Sequence, residues 1–422
     1  MSLAVLELND QLLLIQAESG LTHAEPGFAR LSADGIESGV DARASAWLVP
    51  QNCYNQYWCH LNQTALVVKQ KWARHHADIA FAQLQQLWHE VDSPDELVIL
   101  VPGSFTNEQI SLLLGLINAL PASAVSVIDS ALPACLSRRG DTLYMDMQLH
   151  LSVLSVGRMK GTTLSIVEQE VFPDLGLLQI YNSVARHISN LLVDSVRYDP
   201  LFTAKGEQAI FDQLPDWLTR LRWENEISAV MHSDKGEHPF ILRRENVNRL
   251  LAERLVNVRS FIAKHSGCGL LLSHASRLLA GLSDDFASAE VMGRSATIDQ
   301  IFAVQADMPG QVDGLYRVQS LPHGQVSQQH NDSESPLATH VLFGDQALPL
   351  RKPVSIHVGE QGIQMASSID KTAALTVVLR NRLLETVHRS SQVDTSVPGQ
   401  CTPGESIMVG GHQLRLIEVH NG

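Results

Sequence analysis

The segment LYMDMQLHLSVLSV at residues 143–156 raises the first chemical question, because a single acid, Asp146, stands in an otherwise apolar strand pattern. A turn after such a strand binds phosphate when its backbone N–H groups closely approach the phosphate oxygens. Glycines usually allow that approach, since a Cβ atom would hold the chain away or forbid the required dihedrals. This segment has the strand pattern and the acid that accompany a phosphate-binding turn, but it lacks the glycines of such a turn. Asp146 is therefore either a remnant of a phosphate site or an acid that caps a turn.

The histidines, 18 in number, give no clear catalytic or metal-binding motif. His75 and His76 are adjacent on a predicted helix, where neighbours face about 100° apart and do not easily bind one ion. Ser273 and His274 are neighbours in a predicted turn, and no acid is spaced to orient the histidine, so they do not form a catalytic pair. We expect these residues to be structural.

The cysteines indicate reduced thiols in the cytosol. They are five in number and scattered, which does not suit a disulfide framework. Cys53 and Cys59 are six positions apart, with no second pair to complete a zinc site. The surrounding segment at residues 52–60, NCYNQYWCH, carries aromatic side chains that either form a partner surface or, more commonly, pack in a core.

Length and charge exclude several classes of protein. The chain has 422 residues, 45% of them hydrophobic, and single cores stop growing at roughly 250–300 residues, so more than one core is expected. A net charge of −14 argues against nucleic-acid binding, which needs clustered Lys and Arg. The N-terminal stretch LAVLELNDQLLLIQ has two acids and no leading positive charge, so it predicts neither a secretory signal nor a membrane span. We expect a soluble cytoplasmic protein.

A polar stretch at residues 324–337 reads as a linker between two domains of different class. Strand and helix patterns alternate through residues 1–323, which predicts an α/β domain. Residues 338–422 show short strand patterns separated by turn residues, which predicts a small all-β sandwich.

Local patterns of apolar and turn residues predict the elements of the first domain. Two apolar runs meet at Asn9 and Asp10 and predict a hairpin. ELVILV at 96–101 is a buried strand, and Thr106 with Gln109 forms a capping box that begins a helix. SAVSVIDSAL predicts another strand and helix, and GRMKG predicts the turn between the strand that holds Asp146 and its return strand. ENVNRLLAERLVNVRSFIAKH predicts one long amphipathic helix, and a strand at residues 267–272 runs into the turn SHASRLLAGL.

This order of elements resembles the actin-like ATPase superfamily, especially its heat-shock chaperone branch and bacterial actin-like assembly proteins. The segment VPGSFTNEQ looks like a chaperone segment that reads V-P-x-x-F-x-x-x-Q before a helix. The resemblance covers roughly residues 3–323 and implies two lobes, each built like ribonuclease H, with ATP and Mg²⁺ bound between them. It assigns the phosphates of ATP to the two hairpins that contain residues 7–10 and 146–151, and it assigns adenosine to the late turn, which contains residues 273–276.

The glycines of all three loops are replaced. Where the family has D-x-G-T, D-x-G-x-G-T and G-G-x-S, the chain has Glu-Leu-Asn-Asp at 7–10, Asp-Met-Gln-Leu-His-Leu at 146–151, and Ser-His-Ala-Ser at 273–276. Each lost contact to a charged oxygen is worth about 1.5–3 kcal/mol, so two or three losses turn a micromolar site into a millimolar one. If ATP binds at all, the resemblance places it against Glu7, Asn9, Asp10, Asp146, Gln148, Ser273, His274 and Ser276.

The leading hypothesis is a degenerate ATPase-fold protein that acts as an interaction scaffold or atypical chaperone, with weak or absent use of ATP. No catalytic residue is assigned. In the alternative, an active ATPase, Asp146 and Glu7 hold Mg²⁺ through water. A small-molecule kinase of the superfamily is a third hypothesis, although no motif marks its catalytic acid. In the leading hypothesis, other proteins bind to the lobe surfaces and to the C-terminal domain.

The end of the chain, GESIMVGGHQLRLIEV, resembles the last two strands of forkhead-associated domains. That resemblance implies a phosphothreonine site with a Gly-Arg pair and an Asn-Gly turn. This chain has Gly359 with Glu360, and Pro398 with Gly399. Because an acid in place of the arginine repels phosphate, we expect a protein-binding module that does not recognise phosphothreonine.

Overall fold

The computed structural model forms two compact units, Met1–Gly324 and Gln325–Gly422. The predicted linker at 324–337 lies outside the residues that the structure describes, as do Glu360, Pro398 and Gly399. The described residues are 2–66, 71–138, 140–234, 236–278, 282, 286, 289–304, 317–322, 338–344, 346–359, 362–380, 383–390, 393–397, 401 and 403–419.

The first unit is mixed α/β, as the sequence predicts, and its helices and strands fall into two groups along the chain. The first group contains β1 (Leu3–Glu7), β2 (Leu13–Ala17), β3 (Thr22–Glu25), β4 (Ala29–Leu31), β5 (Ile36–Ser38), α1 (Val40–Arg43), β6 (Cys53–Tyr54), α2 (His76–His89), β7 (Glu96–Val101), α3 (Asn107–Ile117), β8 (Ser123–Asp129) and α4 (Ala131–Leu136). The second group contains β9 (Thr142–Met147), β10 (Ser152–Lys160), β11 (Thr163–Phe172), α5 (Leu177–Val196), α6 (Ala204–Leu221), β12 (Glu226–Ser233), β13 (Gly236–Arg243), α7 (Arg244–Arg254), α8 (Val256–Lys264), β14 (Gly269–Leu272), β15 (Glu290–Val291), α9 (Ala296–Val304), β16 (Arg317–Val318) and β17 (Ser320–Pro322).

Two six-stranded sheets of this unit repeat one topology. The first has the order β16-β8-β7-β1-β2-β3 and the second β15-β14-β9-β10-β11-β17. In each, three consecutive strands pair antiparallel (β1 to β3 and β9 to β11), and the first of them also pairs parallel with a later strand, β7 or β14. The β1–β2 turn and the β9–β10 turn are therefore equivalent positions in the two sheets.

Three large apolar clusters pack the helices and sheets of this unit among the described residues. One packs α2 and α3 on the first sheet, and another packs α5, α6, α7 and α8 on the second. The third lies between the sheets and combines Val5 and Leu100 of the first sheet with Tyr144 and Leu271 of the second. Helices α4 and α9 contribute to this middle cluster, and both faces of the central strands are therefore covered, which explains the unbroken apolar run of ELVILV.

Several local predictions are confirmed: the first hairpin, the strand at Glu96–Val101, and the capping box of Thr106 and Gln109. Two are wrong. The predicted single long helix is divided at Leu255 into α7 and α8. The segment GRMKG at residues 157–161 is also mostly strand, because β10 continues to Lys160 and pairs with β11. The turn is confined to residues 161 and 162, between these two strands.

The second unit consists of strands in the part of it that the structure describes, in agreement with the predicted all-β class. They are β18 (His340–Phe343), β19 (Gln346–Pro349), β20 (Val354–Gly359), β21 (Gly362–Ala366), β22 (Leu375–Arg380), β23 (Leu383–Arg389), β24 (Thr395–Ser396), β25 (Ser406–Val409) and β26 (His412–Ile417). They form a five-stranded and a four-stranded sheet, and residues of both share one apolar core.

No helix in the described ranges combines the length and the apolar character that a membrane crossing requires.

Candidate functional site

The two equivalent turns of the first unit meet face to face and are hydrogen-bonded to each other. The Asn9 side chain, in the β1–β2 turn, donates to Asp146 Oδ1 at 2.9 Å and to the Met147 carbonyl at 3.1 Å. Both acceptors belong to the end of β9. The amide of Asn9 therefore joins the first sheet to the second.

A second bond between the turns uses the buried carboxylate of Asp10. Its Oδ1 accepts the backbone N–H of Leu149, in the β9–β10 turn, at 2.6 Å. Its Oδ2 is buried and has no hydrogen-bond partner among the described residues. Burial raises the pKa of Asp10 from 3.8 to about 7, and the Leu149 N–H opposes that rise. This carboxylate is therefore only partly charged near neutral pH.

Two acids that line a small cleft between these turns, Glu7 and Asp146, are also shifted toward the neutral form. Burial, reinforced by the charge of Asp146, raises the pKa of Glu7 to about 8, while a hydrogen bond from Thr297 to Glu7 Oε2 opposes the shift. Burial raises the pKa of Asp146 to about 6, and the amide of Gln148, which donates to Asp146 Oδ2 at 3.0 Å, opposes it. Both oxygens of Asp146 thus accept from side-chain amides, those of Gln148 and Asn9.

The late turn after β14 reaches the same place. Ser273 Oγ accepts the backbone N–H of Met147, which fixes this turn to the end of β9. His274 lines the cleft, whereas Ser276 is buried and donates its hydroxyl to the Ser273 carbonyl. The structure therefore brings together all three segments that the sequence singles out, but it directs Ser276 into the turn itself.

The cleft between these segments is small. Its volume is about 40 Å³, whereas pockets that bind small molecules have roughly 300–1,000 Å³ and a water molecule occupies about 30 Å³ of the liquid. Its walls include Glu7, Asn9, Asp146, Ser273, His274 and Arg294. The space matches one or two water molecules.

The sequence interpretation missed a group of possible metal ligands that includes Asp10. One ligand atom each of Asp10, Cys59 and His150 lies within 4.8 Å of the other two. Asp10 and His150 come from the two facing turns. Cys59 follows Tyr57 and Trp58, which are buried, so the aromatic segment packs in the core. These three residues are too far apart in sequence for spacing to reveal them.

No protein-family model matches the chain, and a search of curated proteins finds no relative.

Proposed function

We propose that the first unit is an actin-like ATPase fold whose nucleotide site has been lost, and that the protein acts as an interaction scaffold or atypical chaperone without using ATP. The repeated sheet topology supports this proposal, because the resemblance implies two lobes of one fold and the two six-stranded sheets share one strand order and the same strand directions. The two hairpin turns and the late turn also converge as that fold requires.

The observation that carries the proposal is the bond between Asp10 Oδ1 and the Leu149 N–H. A phosphate site in this turn would need such N–H groups to face phosphate oxygens. Here the carboxylate of Asp10, in the facing β1–β2 turn, accepts one of them. A triphosphate would have to displace this side chain, and it would meet the negative charge of the carboxylate.

The residues present do not suit Mg²⁺ with ATP. Mg²⁺ prefers charged, hydrated oxygen ligands in octahedral geometry. Both oxygens of Asp146 already accept from amides, and Glu7, whose pKa is about 8, accepts from Thr297. A cleft of about 40 Å³ is also smaller than a nucleotide requires.

A surface groove of the second lobe supports the scaffold part of the proposal. It has a volume of about 730 Å³ and lies between the end of α5, the start of α6 and the β12–β13 hairpin. Phe202 on its wall is 86% exposed, and Val196 beside it is also exposed. Exposed aromatic side chains next to a groove are typical anchor points for protein partners. We infer that a partner protein inserts apolar side chains here.

Thermal unfolding with ligands separates this proposal from the alternatives. A ligand present at 100 times its Kd stabilises a protein by about 2.7 kcal/mol, which shifts the melting temperature by several degrees. We expect no shift with millimolar MgATP, MgADP or common sugars. A shift with nucleotides alone would support an active ATPase, and a shift with a sugar would support a kinase.

The scaffold claim requires its own test, with the wild type and Phe202→Ser as paired baits in a quantitative pull-down. We expect specific proteins to bind the wild type and to be depleted at least about tenfold on the variant. The melting temperatures of the two baits should agree, because Phe202 is exposed and its loss leaves no cavity. Equal capture by both baits would refute a role for this groove.

A further inference from the structure

We propose that Asp10, Cys59 and His150 form a binding site for a transition-metal ion of the zinc type, which joins the two facing turns. This inference does not depend on the proposed loss of ATP binding. It concerns Asp10 with a thiol and an imidazole, and none of these three residues lines the cleft that holds Glu7 and Asp146.

The ligand set defines the class of metal. A thiolate, an imidazole and one carboxylate suit zinc or cobalt, whereas Mg²⁺ and Ca²⁺ prefer sets of oxygen ligands. Three protein ligands leave a fourth tetrahedral position for water. Ligands of one tetrahedral zinc ion lie about 3.5 Å apart, given bond lengths near 2.0–2.3 Å. The three ligand atoms already lie within 4.8 Å, so inward shifts of about 1 Å complete the geometry.

The carboxylate of Asp10 supplies the strongest independent sign of a ligand. The side chain is 3% exposed, Oδ1 is fixed by the Leu149 N–H, and Oδ2 is buried with no hydrogen-bond partner in the described part of the chain. A buried carboxylate oxygen without a donor is costly, because its desolvation is not compensated. A metal ion beside it would satisfy this atom.

One ring nitrogen of His150 is held by the backbone, which leaves the other for a ligand role. Its Nε2 lies 2.8 Å from the Asn55 carbonyl, which can only accept, so Nε2 carries the proton. Nδ1 then holds the free lone pair. Metal-binding histidines commonly donate their other ring N–H to a backbone carbonyl in this way, which fixes the tautomer and the ring plane.

The thiol of Cys59 is only weakly engaged without a metal. Its Sγ lies 3.3 Å from the Gln56 carbonyl, and burial raises its pKa to about 12. A bound cation would replace the thiol proton, as structural zinc sites do. Cys59 and Asp10 belong to the first group of elements and His150 to the second, so one ion would connect the two sheets.

Cobalt absorption tests this proposal directly. The apo-protein, prepared with a chelator that is then removed, is titrated with Co²⁺ and afterwards with Zn²⁺. We expect a thiolate-to-cobalt charge-transfer band that saturates at one equivalent and disappears when zinc displaces cobalt. The band should be absent in Cys59→Ser and unchanged in Cys53→Ser, a matched control whose half-buried thiol lies outside the group. His150→Phe should bind zinc at least about 100-fold more weakly.

Thiol alkylation of the wild type keeps the test valid if a variant misfolds. Zinc at one equivalent should slow alkylation of Cys59 at least about tenfold and leave Cys53 unaffected, as measured by mass spectrometry of the two peptides. The proposal is overturned if the wild type gives no charge-transfer band, if the band persists in Cys59→Ser, or if zinc leaves the alkylation of Cys59 unchanged.

Discussion

The buried carboxylate of Asp10 predicts a specific pH dependence of stability. Its pKa is about 7 in the folded protein and has an ordinary value of 3.8, a difference of about 3 units. Because the folded state then binds more protons between about pH 4 and pH 7, the free energy of unfolding falls as the pH rises through that range. At about 1.36 kcal/mol per unit, the full loss is on the order of 4 kcal/mol.

The substitution Asp10→Asn removes this titration and keeps an oxygen to accept the Leu149 N–H. We expect the free energy of unfolding of Asp10→Asn, relative to that of the wild type, to increase by about 4 kcal/mol between about pH 4 and pH 8. Glu7 titrates in both proteins, and because the charge of Asp10 also raises the pKa of Asp146, the difference reports Asp10 together with its repulsion of Asp146.

Urea unfolding followed by circular dichroism at several pH values, with a chelator present, measures this difference. Asp34→Asn is the matched control, because Asp34 is exposed. The free energy of unfolding of this variant should change with pH as that of the wild type does. If the curves of wild type and Asp10→Asn run parallel across this pH range, then Asp10 is not a buried acid with a raised pKa, and the account of the closed turns is wrong.

Four further substitutions test individual contacts of the first unit, each by urea unfolding near neutral pH. Asn9→Ala removes both amide hydrogen bonds to the second turn and should cost about 2–3 kcal/mol; a loss below about 0.5 kcal/mol would contradict the bridging role. Arg317→Met leaves the fully buried carboxylate of Asp129 without its ion-pair partner and should cost about 3–5 kcal/mol. A neutral effect would show that the amides of Gln169 and Gln319, which also donate to this carboxylate, satisfy it without the arginine. Gly27→Ala should lower the free energy of unfolding, because a Cβ atom would lie 2.7 Å from the Asp10 carbonyl oxygen. Gly115→Ala is its control, since Gly115 lies in α3 with open space around it and the change should stabilise the protein by about 0.5–1 kcal/mol. Equal effects of the two substitutions would refute the close approach at Gly27.

Much of the first unit could be predicted because its local signals agree with its tertiary structure. The apolar runs of β1 and β7 lie buried in the sheet, and the capping box at Thr106 begins α3 as its residue types require. The division of the predicted long helix at Leu255 could not be read from the pattern, because apolar periodicity continues through it. Sheet pairing decided the extent of β10, since the partner β11 stabilises strand geometry through Lys160.

The site was predictable only in part. Glu7, Asn9 and Asp146 could be placed near each other only because the resemblance assigns both hairpins to the phosphates, and in the structure these residues line one cleft. Their hydrogen-bond partners could not be predicted, since the bond from Leu149 N–H to Asp10 depends on the distance between the two turns. For the same reason, the group of Asp10, Cys59 and His150 became visible only in three dimensions.

Calorimetric titration of the purified protein with MgATP measures whether the two turns admit a nucleotide, with Asp146→Ala as the matched variant. The closed turns predict no saturable heat up to millimolar ATP in either protein. Binding at low-micromolar Kd by the wild type, lost in Asp146→Ala, would show that the turns open to admit a nucleotide and would contradict the account.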